Sequence, residues 1–415
     1  MADSARIEPA SWMSAAPVKA VFDALGAPDV DVRFVGGCVR DVVLSRTIKD
    51  IDIATPDEPN VVVEKLTRAG LKAVPTGLAH GTVTAVADSQ PFEVTTLRKD
   101  TACDGRHAAV EFTTDWVEDA SRRDFTFNAL SLRQTGELFD PFGGVDDANA
   151  GRVRFVGDPR DRIQEDYLRI LRFFRFVALY SAEEPDPEIL TACRELRSGL
   201  GSLSTERVRD EVVKLLNAPD PIPTLRAMEA AKILSDLFPE FQGIIVLEAL
   251  IALEREFELA ANDKTWRRRW VAIFYQLAHD VAVRMKLSGK ETKNVEALYR
   301  SAVSAADAHD SVALNRFLYE FADASDQHSP APEGVALACA RDGGQISARW
   351  SNLLTQVRGW TAQKFPLRGA DVQPLGIEDG PRIGALLREI KQDWVDGGCI
   401  STASELRAQL KSRAT

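Results

Sequence analysis

Two aspartates stand two residues apart in Lys49-Asp50-Ile51-Asp52-Ile53. In an extended strand the side-chain period is two, so Asp50 and Asp52 project from one face while Ile51 and Ile53 pack behind. Carboxylates that close repel each other, and a hard divalent ion such as Mg2+ relieves the repulsion, with phosphate oxygens completing its shell. An edge strand with two solvated acids explains an isolated D-x-D equally well. Upstream, Phe34-Val35 runs into Gly36-Gly37, with Arg40 one turn further on. Glycine at such a turn lets backbone N–H groups approach an anion, and an arginine there can fork onto a phosphate. Many strand–glycine–helix turns are turns and nothing more.

The order of these features narrows the choice. A glycine pair, then D-x-D, then a further acid on a later strand (Glu93 in Phe92-Glu93-Val94-Thr95) is the layout of a nucleotidyl-transferring palm. In such a palm, metals activate a 3′-hydroxyl and steady the leaving pyrophosphate. Glu93 alternates in register with Thr95 and reads either as a metal ligand or as a surface acid. Ser121-Arg122-Arg123-Asp124-Phe125 adds two arginines beside an acid, with Arg123 suited to a triphosphate and Asp124 to a structural pair. In Glu165–Phe176, Asp166, Arg169, Arg172 and Arg175 recur every three residues, which predicts one helical stripe backed by Leu168, Leu171 and Phe174. Such a stripe is either a solvated face or a base reader. An aspartate accepts from an exocyclic amine and an arginine donates to the neighbouring ring acceptor, so the pair admits C and A and rejects U and G.

These side chains need a framework. Strand patterns fall at 32–35, 50–55, 71–74, 82–87 and 92–97, and helix patterns at 17–26, 38–45 and 59–69. From about Asp158 the periodicity is helical: 158–179, 187–196, 205–216, 224–231 and longer segments beyond Leu247. The fold class predicted is α+β, a mixed head followed by a helical arm. At 415 residues the chain forms two to four packed units. Its 45% hydrophobic and 27% charged residues exclude wholesale disorder, and no apolar run reaches the length of a membrane span. A net charge of −11 argues against indiscriminate coating of nucleic acid, although residues 151–175 carry seven arginines against four acids. Five widely spaced cysteines fit neither a disulfide framework nor a metal site and point to a reducing cytoplasm.

Taken together, the motifs resemble the bacterial class II tRNA nucleotidyltransferase and poly(A) polymerase family. The resemblance rests on G-G-x-V-R-D at Gly36–Asp41, D-x-D at Asp50 and Asp52, and R-R-D-F-T-x-N-A at Arg122–Ala129. It continues in D-P-F-G-G at Asp140–Gly144 and E-D-x-L-R-x-L-R-x-x-R-F at Glu165–Phe176, with a weaker echo at Ser204–Leu216. It implies a nucleotidyltransferase palm-like head (residues 1–145), a helical neck that selects the base (146–217) and a helical body and tail that bind tRNA (218–415). Asp50 and Asp52 match magnesium ligands. Gly36, Gly37, Arg40 and Arg123 match nucleotide-contacting positions, and Asp166, Arg169, Arg172 and Arg175 match neck positions that read or hold the nucleotide. Arg98–Val110 looks like the family's mobile loop, with Cys103 and His107-Ala108 where relatives often carry an aromatic and a proline.

The activity implied is template-independent addition of CCA to the tRNA 3′ end from CTP and ATP. A poly(A) polymerase, a CC-only or A-only enzyme, a catalytically dead RNA-binding scaffold and a small-molecule nucleotidyltransferase are the alternatives, and monomer and homodimer both stay open. His279-Asp280 and His309-Asp310 lack the further histidines of a phosphohydrolase site. Trp266-Arg-Arg-Arg-Trp270 and Lys286–Lys293 read either as phosphate-contacting patches or, for the first, as a buried Trp pair with solvated arginines.

Overall fold

Val83, Ala85 and Ala87 are buried, as are Phe92, Val94 and Thr96, while the residues between them are not. That is the period-two signature of strands with one face on a core. In the computed structural model, which describes residues 6–102, 109–181, 184–322, 329–361, 363–377 and 379–414, these strands lie within a mixed sheet. The strands are β1 (Arg33–Val35), β2 (Asp52–Thr55), β3 (Lys72–Gly77), β4 (Thr82–Ala87), β5 (Gln90–Thr96), β6 (Arg98–Ala102), β7 (Ala109–Phe112), β8 (Ser131–Leu132) and β9 (Leu138–Phe139). Seven form one sheet in the order β3-β4-β5-β2-β1-β8-β9, and β6 and β7 pair as a separate ribbon. Strand β2 runs antiparallel to β1 and parallel to β5. Helices α1 (Ala16–Leu25), α2 (Gly37–Val43) and α3 (Pro59–Arg68) follow the predicted pattern closely. Val18, Val21, Phe22 and Leu25 of α1 and Val62 and Leu66 of α3 share one buried cluster with Phe34, Ile53, Val83, Phe92 and Val94. One sheet face is thereby covered, and the in-register residues pointing the other way, Asp52 and Glu93, belong to the opposite face.

Two expectations need correction. The strand predicted over 50–55 begins only at Asp52, because its partner β1 ends at Val35, paired with Asp52, and Gly36 then turns away. Asp50 therefore sits just ahead of the strand. The helix predicted over 158–179 is two helices, α6 (Pro159–Glu165) and α7 (Leu168–Tyr180), preceded by α4 (Trp116–Ser121) and α5 (Gly144–Asn149) and followed by α8 (Pro187–Leu196) and α9 (Thr205–Leu216). The break falls at Asp166, whose backbone is extended (φ −155°, ψ 104°) and whose Oδ1 accepts from Leu168 N at 3.1 Å. Short polar side chains bond local backbone in this way and start a new helix.

The chain divides into two units, one of residues 1–211 with 227–237, the other of 212–226 with 238–415. The second is helical throughout its described residues, its longest helix being Gly289–Asp307. The triple-arginine stretch there is not a surface patch. Arg268 and Arg269 are almost fully buried. Arg268 pairs with Glu254 (2.8 Å) and Glu333 (2.7 Å), Arg269 with Glu254 (2.7 Å), and Arg267 with Glu291 (2.7 Å). Trp266 and Trp270 pack edge to face, 6.1 Å apart, so the Trp pair is buried as the second reading expects, but Arg268 and Arg269 are buried with it and not solvated, because carboxylates neutralise them inside. Lys290 and Lys293 remain exposed. His279 and His309 are exposed as well, and no group of three metal-ligating side chains occurs among the described residues.

Candidate active site

The glycine turn comes first. Gly36 adopts φ +70°, ψ −130°, a conformation that a Cβ forbids. A Cβ built there would lie 3.2 Å from Arg123 Nη1 and 3.8 Å from Asp52 Oδ2, so turn, arginine and acid meet at one point. Gly37 then opens α2, and Arg40, nearly buried, donates through Nη1 to Asn128 Oδ1 at 2.8 Å and through Nε and Nη2 to Asp41 Oδ1. Its guanidinium lies 4.7 Å from the centroid of Tyr180.

Parallel pairing sets Asp52 beside Glu93 across β2 and β5. Asp52's carboxyl is pushed up from 3.8 to about 6 by burial, by Glu93 and by Asp50, with Arg123 pulling the other way. A half-buried acid with two like charges nearby has a deficit of positive charge. Asp52 and its neighbour Glu93 offer only oxygen donors, the chemistry a hard divalent ion takes, but with Asp50 they do not close into a three-ligand cluster, so most of the coordination is left to water and phosphate. Asp50 is exposed and does not line the cavity that Asp52 lines.

That cavity measures about 580 Å³. Gly36, Gly37, Arg40, Asp52 and Arg123 line it from the head, Asp166 from the junction between α6 and α7, and Arg169, Arg172 and Arg175 from α7. The four stripe residues thus face one space although Asp166 is not on the helix with the arginines. Each has a protein partner. Arg207 Nη2 holds Asp166 Oδ2 at 2.7 Å. Arg169 Nη1 reaches Glu165 (2.5 Å) and the Arg162 carbonyl (2.8 Å), and Nη2 the Arg122 carbonyl (3.2 Å), with no bond from Nε among the described residues. Arg172 is held by Asp124 (2.5 Å) and Arg175 by Glu211 (3.1 Å). Burial alone would raise Asp124's carboxyl, but Arg172 and Asn128 hold it below the usual carboxylate range. Asp124 is therefore paired with α7 rather than with its neighbour Arg123, which turns to Asp119 at 3.1 Å.

Sequence reasoning missed Asn128, Asp119, Arg162 and Arg207. Asn128 and Arg207 lie inside quoted motifs. Asp119 and Arg162 become visible only as buried partners of Arg122 and Arg123, since Arg162 Nη2 donates to the Arg123 carbonyl at 2.7 Å. Of the predicted mobile loop, Cys103 through Ala108 lie outside the described residues.

The fold and the triphosphate-sized, arginine-lined cavity define an RNA-type nucleotidyltransferase. A family profile described as the poly A polymerase head domain matches residues 32–154, and one for a probable RNA and SrmB-binding site of polymerase A matches 184–244. The chain is 34% identical to the human mitochondrial CCA tRNA nucleotidyltransferase 1 over 92% of its own length and 86% of that protein. It is 31% identical to the CCA-adding enzyme of Streptococcus gordonii over 98% of both. The crystal structure of the Bacillus stearothermophilus CCA-adding enzyme in complex with CTP superposes with a TM-score of 0.71 at 25% identity, covering 96% of each chain. The chain belongs to the CCA tRNA nucleotidyltransferase family.

Proposed function

We propose that the cavity described above performs the family's reaction, template-independent addition of C, C and A to the tRNA 3′ end from CTP and ATP. The observation that supports this most is that Asp52 on the sheet, with Glu93 paired beside it on β5, lines the same 580 Å³ space as the arginines of α7. Asp50 and Asp52, with Glu93 beside them, are the residues that would hold magnesium. A divalent ion held by these carboxylates would supply Lewis acidity for the RNA 3′-hydroxyl and positive charge for the α-phosphate. The glycine turn lets the triphosphate approach the backbone, and Arg123 neutralises it from one side. Asp166, oriented by Arg207, accepts from the exocyclic amine of C or A, and Arg169 Nε donates to the adjacent ring acceptor. Arg172 and Arg175, locked by Asp124 and Glu211, present positive charge without collapsing into the cavity. We take residues 1–145 as head, 146–217 as neck and 218–415 as the tRNA-binding body and tail. The four described cysteines are free thiols, as a reducing cytoplasm keeps them.

The deciding experiment incubates the purified protein with tRNA ending at the discriminator base and each labelled nucleotide. CTP and ATP are expected at 2:1. Open-ended ATP incorporation, or arrest after CC, refutes the CCA assignment. Asp52→Ala is expected to abolish incorporation while tRNA affinity stays near that of the parent; retained turnover refutes the metal assignment.

A further inference from the structure

Asp119 is 2% exposed, the C-terminal half of a short helix holding it beneath the nucleotide cavity rather than in it. Its two oxygens divide their work. Oδ1 accepts from Arg122 Nε at 2.9 Å and from the Arg98 backbone N at 3.3 Å, and Oδ2 accepts from Arg123 Nε at 3.3 Å and Nη2 at 3.1 Å. Burial on its own would raise this carboxyl, but Arg123 and Arg122 outweigh it and hold the group below the usual range, so a buried anion persists between two arginines. The consequence lies in Arg123. A guanidinium has five N–H donors in a rigid fork. Asp119 takes the Nε–Nη2 edge, and Nη1, turned towards the Asn128 carbonyl at 3.4 Å, lies 3.2 Å from the point a Cβ on Gly36 would occupy. The opposite edge is thereby aimed over the glycine turn.

We propose that Asp119 is a positioning residue for the incoming triphosphate: it touches no substrate, and by gripping one edge of Arg123 it fixes the other on the β- and γ-phosphates. The inference rests on the reading of this cavity as the nucleotide site. It predicts a selective defect, because a misaimed Arg123 loses contact with the outer phosphates while the base, the ribose and the RNA end are held by other groups.

The test compares CTP with CMP, which has the same base, sugar and α-phosphate but lacks the outer phosphates. Dissociation constants are measured by calorimetry for the full-length protein and for Asp119→Asn, which keeps the volume and removes the charge. CTP is expected to bind at least tenfold more weakly to the variant, CMP within twofold of the parent, and the preference for CTP over UTP to be unchanged. In an Arg123→Ala background, adding Asp119→Asn is expected to cause no further loss of CTP affinity, because the two act in series. Equal weakening of CTP and CMP, or an additive loss in the double variant, overturns the proposal, since a merely structural acid behaves that way. If Asp119→Asn does not fold, Asp119→Glu keeps the charge and displaces it by one methylene; an unchanged CTP-to-CMP ratio then overturns the proposal equally. Parent protein that binds CTP no better than CMP refutes the nucleotide-site reading itself, which separates the two failures.

Discussion

Asp52 is held against its own charge, and that has a measurable cost. Its carboxyl sits at about 6 in the fold against 3.8 in free chain, a gap of roughly two units, or about 3 kcal/mol of disfavoured ionisation. Solvent screening of this partly solvated group reduces the cost to about 2 kcal/mol. The sign follows from linkage: a raised folded value means the fold prefers the protonated acid, so relative stability is intact below about pH 4, declines as pH rises towards 6, and stays low above it. Asn is close in shape to the protonated acid and carries no charge. In EDTA at pH 7.5, Asp52→Asn is therefore expected to be more stable than the parent by about 2 kcal/mol while losing nucleotide incorporation. With a urea m-value of about 2–3 kcal/mol/M, this is a shift of the midpoint to higher urea by about 1 M. At pH 4 the gain is expected to shrink to near zero, and at pH 7.5 saturating Mg2+ is expected to erase it by stabilising only the parent. The assay is a set of urea unfolding curves for both proteins at the two pH values, with and without the ion. A variant no more stable than the parent at pH 7.5 in EDTA, or a gain that persists unchanged at pH 4, refutes the claim that uncompensated negative charge defines this site.

Other perturbations follow from the same geometry. Gly36→Ala places a Cβ 3.2 Å from Arg123 Nη1 on a backbone at φ +70°; strain of about 1–3 kcal/mol is expected in urea unfolding, together with weaker CTP binding. Parent-like values in both would show that the turn relaxes freely. Glu254→Gln leaves buried Arg268 and Arg269 without their shared carboxylate, and a loss of about 3–5 kcal/mol is expected, read as a lower urea midpoint. Asp166→Ala removes the acceptor for the exocyclic amine, so the ratio of CTP to UTP incorporation is expected to fall at least about tenfold, the value of one charged hydrogen bond; a variant that stays selective refutes the base-reading role.

Much of this protein is legible from its residues in order. The glycine pair, D-x-D, the arginine pair and the Arg169–Arg172–Arg175 repeat are local signals, because turns, strands and helices repeat over two to four residues and the chemistry is carried by residue types at those periods. The α+β head and helical remainder follow from the same periodicities. The short strands β8 and β9, two residues each, are too brief to show any period. What only the tertiary structure decided are the pairings between distant segments. Glu93 reaches Asp52 because β2 and β5 are parallel neighbours, Asp124 turns to Arg172 rather than to Arg123, and Asp166 leaves the helix and is caught by Arg207. Of the arginines between Trp266 and Trp270, read in sequence as phosphate-contacting or solvated, Arg268 and Arg269 are buried and Arg267 partly so, because Glu254, Glu333 and Glu291 arrive from elsewhere to neutralise them. An isolated sequence window states that a charge exists, whereas its partner, and hence whether it is buried, solvated or aimed at a ligand, is set by where the rest of the chain packs.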